Sequence, residues 1–479
     1  MRTKTASALI AIVALLGIAA ADPLALLAEM RTHVHKIPEV SQAVPTESLG
    51  QTPCVDGMAG PFPCDGIDLL SFTPISEFAG LPTYAPGLNS SIRGSDVWGW
   101  TSPETGDEYV LFGKTNGVAF FRVTDPTAPE YLGTMLNTAA AQLVWQDIKV
   151  YDNKAYAVSE SNPHGMQVFD LFRLDGVTDA QDWVMDSFYP LNVAAHNLAI
   201  NEETGFAYIV GGNAGLAAED QCRAGLHIVD LKTPVPTFAG CYVEEGGVGV
   251  VGSLVGPLGA LSRYVHDTEC VVYRGPDADW FEHEICFNSS ETHVAIVDVT
   301  DKLAPSHIAT VEYDRTEYAH QGWLTDDGRH FLMGDELDED ANAGMPTRTL
   351  VFDVEDLDNP TWQGTHYGQS QSIDHNMYIR DGLVYQSNYA SGLRVVDLYD
   401  IDDVDNDPTN GNELEEVAYF DVFPDNDGTS FSGTWSNYPY FDSGTVVISG
   451  YDGLWLVKVQ DEVFDDIVAA RPDHDLADR

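Results

Sequence analysis

A short apolar strand ending in a charge recurs along this chain. It appears as Val118-Ala-Phe-Phe-Arg122, Met166-Gln-Val-Phe-Asp170, Leu226-His-Ile-Val-Asp230, Val294-Ala-Ile-Val-Asp298, Thr349-Leu-Val-Phe-Asp353, Leu393-Arg-Val-Val-Asp397 and Leu454-Trp-Leu-Val-Lys458. The seven copies are 48, 60, 68, 55, 44 and 61 residues apart. Gly117, Gly165, Gly225, Gly392 and Gly453 directly precede five of them and are expected in tight turns with positive φ. Each copy leads through a turn into another short strand, as in Thr124-Asp-Pro-Thr-Ala-Pro-Glu-Tyr-Leu-Gly133. Upstream lies a strand of β-formers, such as Glu108–Gly113 or Leu383–Gln386, and before it a fourth, such as Gln146–Val150. No long 3.6-residue period competes within 67–460.

Four short strands per repeat, seven times over, predict an all-β chain folded as a seven-bladed β-propeller over residues 67–460. The seventh copy has no fourth strand after it, while Asp68–Ile75 is an orphan strand ahead of the first. Pairing the two closes the ring and removes two sheet edges. Residues 22–66 are then expected outside the ring, and 461–479 as an acidic tail.

Residues 1–21 read as a signal peptide: Arg2 and Lys4, an apolar run over 8–20, and an Ala-x-Ala cleavage site ending at Ala21. No second apolar run reaches the length of a membrane span, so a secreted or cell-surface protein with no span after cleavage is expected. Six cysteines fit an oxidising compartment. Six allow 15 connectivities, and the spacing favours Cys54–Cys64, Cys222–Cys241 and Cys270–Cys286 over free buried thiols.

The 479 residues carry 23 Lys plus Arg against 75 Asp plus Glu, a formal charge of −52. Such a charge excludes a general affinity for nucleic acid or anionic lipid. Partners are expected among extracellular proteins, glycans or small ligands.

Aligning the first strand of each repeat gives Asp96, Asp147, His196, His266, His320, His375 and Trp435, spaced 51, 49, 70, 54, 55 and 60 residues apart. Beside them stand Ser95, Gln146, Asn197, Asp267, Gln321, Asn376 and Ser436, and Asp374 flanks His375. The first strand of a blade is innermost, so these positions converge on the top of the axial channel. The four histidines could hold a divalent transition metal, or could clip neighbouring blades together. The loops after the second strands reach the same face and bring Glu160, Asp335, Glu336, Asn388 and Tyr389. Asp335 and Glu336 offer hard oxygen ligands that calcium would accept, whereas Asp400–Asp407 reads as a solvated acidic loop. Hydrolase, zincin, P-loop and dinucleotide motifs are absent from the sequence. Two functions follow: a binding module for a protein, glycan or small ligand at the top face, or a metalloenzyme built on the axial histidines.

The repeated strands, with Cys54-Val-Asp-Gly-Met-Ala-Gly-Pro-Phe-Pro-Cys64-Asp-Gly-Ile-Asp-Leu-Leu-Ser71, His266-Asp-Thr-Glu-Cys270, Gly334-Asp-Glu-Leu-Asp338 and Gln386-Ser-Asn-Tyr-Ala-Ser-Gly-Leu-Arg394, resemble the choice-of-anchor B family of LVIVD-repeat surface proteins over roughly 50–460. The resemblance implies a propeller and export. It implies no chemistry, and this tail shows none of the varied C-terminal anchors for which the family is named.

Overall fold

The computed structural model describes residues 41–79, 92–139, 143–212, 222, 225–244, 264–406 and 414–471; the expected signal peptide lies outside them. Seven sheets form the blades of a β-propeller. Their innermost strands are Gly94–Thr101, Gln146–Tyr151, Asn197–Asn201, Asp267–Val272, Ala319–Leu324, Met377–Arg380 and Thr434–Tyr438. Each touches the innermost strand of the next blade, and the seventh touches the first, so the ring is closed. Apolar side chains of facing sheets fill the space between blades, as where Phe287 stacks on Phe331 with centroids 5.2 Å apart.

The aspartate that ends the repeated strand has a local cause. Asp170, Asp230, Asp298, Asp353 and Asp397 each accept the backbone N–H two residues on, at 2.9–3.1 Å. These bonds turn the chain sharply out of the buried strand. The glycines ahead of the strand are only partly explained by positive φ, which Gly117, Gly165 and Gly392 adopt. Gly225 and Gly453 do not adopt it; a Cβ there would stand 1.9 Å from the Tyr242 carbonyl oxygen and 2.4 Å from that of Thr73. Close approach of the outermost strand is what demands glycine at these two positions.

Ring closure is as expected. Ile67–Pro74 pairs antiparallel with Gly453–Val459, from Ile67 opposite Val459 to Pro74 opposite Gly453. The segment before it stays outside the ring but is bound to it. Met58–Ala59 and Phe62–Asp65 extend the sheet of blade 6, with Cys64 opposite Phe420. Blade 1 is extended likewise by Gln181–Trp183, parallel to Glu130–Leu136. The expected acidic tail begins instead with a helix, Asp461–Ala470, whose Ile467 enters the core beside Val463 and Phe464.

All six cysteines are paired, as 54–64, 222–241 and 270–286. Cys270 and Cys286 stand directly opposite each other on the first two strands of blade 4. No helix among the described residues is long and apolar enough to cross a membrane.

Candidate functional site

Hydrogen bonds between blades resolve the axial positions into two layers. In blades 1, 4 and 6 the upper-layer side chain bonds the carbonyl of its counterpart in the next blade. Ser95 Oγ donates to Gln146 at 3.2 Å, His266 Nδ1 to His320 at 3.0 Å and His375 Nδ1 to Trp435 at 2.5 Å. In the lower layer, a side-chain oxygen accepts a backbone N–H from the next blade. Asp96 takes that of Ile148 at 3.4 Å, Asp147 that of Leu198 at 2.6 Å and Gln321 that of Met377 at 2.8 Å. The rim is therefore Ser95, Gln146, His196, His266, His320, His375 and Trp435. Below it lie Asp96, Asp147, Asn197, Asp267, Gln321, Asn376 and Ser436.

This corrects the sequence alignment by one residue in blades 1 and 2. Asp96 and Asp147 do not share the rim with the histidines; they sit one level down, both paired with Lys149 Nζ. Polar residues stand side by side at both positions, so the repeat alone could not choose between registers.

The imidazoles form a contiguous arc. Ring centroids are 4.4 Å apart for His196–His266, 4.2 Å for His266–His320 and 4.4 Å for His320–His375, and Trp435 follows at 4.9 Å. The loop of blade 5 brings Glu336 against them. Its carboxylate lies 3.6 Å from His320 Nε2 and 3.8 Å from His375 Nε2, and accepts a bond of 2.8 Å from the Tyr389 hydroxyl. His196 differs, since its Nδ1 pairs with Glu160 at 2.5 Å. His196, His320, His375 and Trp435 line a cavity of about 10 Å³, room for one ion or water.

Burial, and then the neighbouring rings, push His266 and His320 well below the ordinary imidazole range; burial takes His375 to about 3. These rings are neutral at pH 7 and keep their lone pairs for a ligand. For His196, burial acts downward but the hydrogen bond and charge of Glu160 outweigh it and raise the pKa. Burial lifts Glu336 to about 7, against the pull of the Tyr389 hydrogen bond and of His196.

The other expected site residues are turned elsewhere. Asp335 accepts from the Tyr313 hydroxyl and the backbones of Glu317 and Tyr318, at 2.6–2.8 Å. Asn388 is folded into its own loop, where its carbonyl accepts from Ser372 and its amide bonds Gln386. Asn197 and Asn376 tie neighbouring blades through the His266 carbonyl and Ser436 Oγ, each at 3.2 Å. Burial raises Asp267 to about 7 within the lower layer. Asp374 is buried behind the mouth.

The lower end of the channel holds a feature that the sequence reading missed. A cavity of about 490 Å³ is walled by Trp98, Trp323, Tyr378, Tyr438, Tyr440 and Glu269. Glu269, Trp323, Tyr378 and Tyr438 each lie three residues after His266, His320, His375 and Trp435. That spacing was available in the repeat, but aromatics in strands read as core.

No protein-family model matches the chain, and no curated protein matches it. Among solved structures, it is similar to a functionally unknown protein from Desulfotomaculum acetoxidans at 12% identity and TM-score 0.45, covering 75% of this chain and 90% of that one. It is similar also to the β-propeller domain of Myceliophteria thermophila Cps50 (Swd1), at 11% and 0.43 over 73% and 93%. A third is the computationally designed protein Ika8, at 9% and 0.42 over 78% and 85%.

Proposed function

We propose that this chain is an exported binding module carrying one divalent transition metal at the axial mouth, held by His320 Nε2, His375 Nε2 and the Glu336 carboxylate. One observation carries the reading: Nε2 of two neutral imidazoles converges on one carboxylate, with all three ligand atoms within 4.8 Å of one another. For His375 the Trp435 carbonyl takes up Nδ1, which leaves Nε2 as the free acceptor. Two imidazoles and a carboxylate suit zinc, and suit iron or copper as well. His196 and His266, in ring contact at the side, are placed to supply a further nitrogen. The remaining coordination positions would take water or an oxygen of a protein, glycan or small ligand docking over the mouth.

Export rests on the signal-like leader and the resemblance to LVIVD-repeat surface proteins, and the three disulfides fit it. The 490 Å³ cavity favours a second reading, capture of a small ligand against its aromatic wall at the lower mouth.

Elemental analysis and zinc titration of the purified chain test the metal. The expected result is one transition metal per chain, lost in a His320→Ala/His375→Ala variant that still folds. A metal-free chain that takes up no zinc would make the histidines clips between blades. Chelator-sensitive turnover by the loaded protein would turn the binding module into a metalloenzyme.

A further inference from the structure

Behind the mouth, four carboxylates are buried around one guanidinium. Asp335, Asp338 and Glu339 are fully buried, Asp374 is 2% exposed, and Arg348 among them is fully buried too. The hydrogen bonds can be followed atom by atom. Arg348 gives Nε to Asp338 Oδ2 and its backbone N–H to Glu339 Oε1 at 3.0 Å; its two terminal nitrogens go to the carbonyls of Asp314 and Arg315 at 3.1 Å. Asp335 is satisfied by Tyr313, Glu317 and Tyr318. Both oxygens of Asp374 are left with no hydrogen-bond partner, and Asp338 Oδ1 and Glu339 Oε2 have none beyond the facing carboxyl groups of Asp338 and Glu339 themselves.

Buried carboxylate oxygens without partners are strongly unfavourable unless a proton or a cation meets them. One arginine cannot neutralise four acids. Asp338, Glu339 and Asp374 each place an oxygen within 4.8 Å of the others. That is close enough for all three to reach one ion, since oxygens on bonds of 2.3–2.6 Å can stand up to about 5 Å apart, and calcium accepts such carboxylate sets without demanding a fixed octahedron of waters. The backbone is shaped for it, since a Cβ on Gly334 would stand 1.8 Å from Asp374 Oδ2. We propose that Asp338, Glu339 and Asp374 form a calcium site, separate from the histidine mouth and independent of what the mouth holds.

The ligand set differs from the acidic pair that the sequence offered. Asp335 is consumed by the Tyr313 loop and Glu336 faces the histidines, while Asp374 arrives from the entry to blade 6. Its neighbours His375 and Glu336 belong to the mouth, so an ion here would brace the wall of that site.

The test is a calcium titration of the full chain after chelation, followed by calorimetry and by thermal unfolding. One Ca²⁺ per chain and a raised Tm are expected. Asp374→Asn should weaken calcium by more than about 100-fold, above the loss from removing an outer-shell partner. Asp338→Asn should do the same and serves if the first variant fails to fold. His320→Ala should leave calcium affinity unchanged while abolishing zinc uptake, which separates this site from the mouth. No uptake by about 10 mM Ca²⁺, beyond the weakest extracellular modules, overturns the proposal. So does unchanged affinity in the Asp374→Asn variant; shared protons would then satisfy the cluster.

Discussion

His266 and His320 stand with ring centroids 4.2 Å apart, and His266 donates its Nδ1 proton to the main-chain carbonyl of His320 at 3.0 Å. A carbonyl can only accept, so this bond fixes the tautomer of His266 and leaves its Nε2 as an acceptor. His375 repeats the arrangement on Trp435. The backbone of blades 5 and 7 thus sets the proton position in the imidazoles of blades 4 and 6, His266 and His375. Clip and ligand, the two roles the sequence left open for these rings, use different nitrogens of the same ring and are compatible.

Glu336→Gln should weaken zinc by more than about 100-fold, because it removes a direct charged ligand, whereas Tyr389→Phe should cost about 10-fold by freeing the carboxylate that the hydroxyl orients. Competition against a chromogenic chelator measures both. Equal affinity in wild type and both variants would take Glu336 out of the coordination shell.

The ring was legible because each repeated strand is buried between blades, which enforces an unbroken apolar run, and because its terminal aspartate makes a local turn that sequence spacing records. Closure by Ile67–Pro74 followed from one missing strand. The histidine arc was legible for the same reason, as four copies of one residue in register. Contacts that join different repeats were not. Glu160 on His196, or Asp374 beside Asp338 and Glu339, depend on loops whose lengths differ from blade to blade. The C-terminal helix was missed because only Val463, Phe464 and Ile467 mark its buried face among many acids.

Phe72→Ala should destabilise the chain by about 3–5 kcal/mol, the range for a fully buried phenylalanine. Phe72 sits on the closing strand, with centroids 4.8 Å from Trp455 and 5.8 Å from Phe62. The loss therefore falls on the seam that joins the two ends of the ring. Urea unfolding gives the value; a cost under about 1 kcal/mol would mean that closure contributes little to stability.

Gly453→Ala should cost about 1–3 kcal/mol, because its Cβ would be driven against the Thr73 carbonyl 2.4 Å away and the closing strand must shift. Gly50→Ala is the control, since its Cβ would meet nothing within 4 Å. Equal melting temperatures for the two variants would show that the strand yields without penalty.

Acid should weaken the fold through His366. This residue is 3% exposed on the outermost strand of blade 5, its Nδ1 has no hydrogen-bond partner, and burial lowers its pKa to about 4. The unfolded chain binds the proton at about 6.5 and the folded chain only near 4. Stability from the neutral ring is therefore fully present above pH 6.5 and is lost as pH falls toward 4, by about 3 kcal/mol in all. Below pH 4 both states are protonated and the loss stops. Buried carboxylates such as Asp421, which burial raises to about 7, act in the opposite direction: they add stability at low pH that fades as pH climbs through 7. A single pH curve mixes these contributions, so wild type must be compared with His366→Gln, which removes the titration and keeps a polar side chain of similar reach. Between pH 7 and 4 the variant should gain about 3 kcal/mol on the wild type in urea unfolding, the other groups cancelling between the two proteins. Parallel stability curves over that range would show that His366 takes up its proton in the folded chain without penalty.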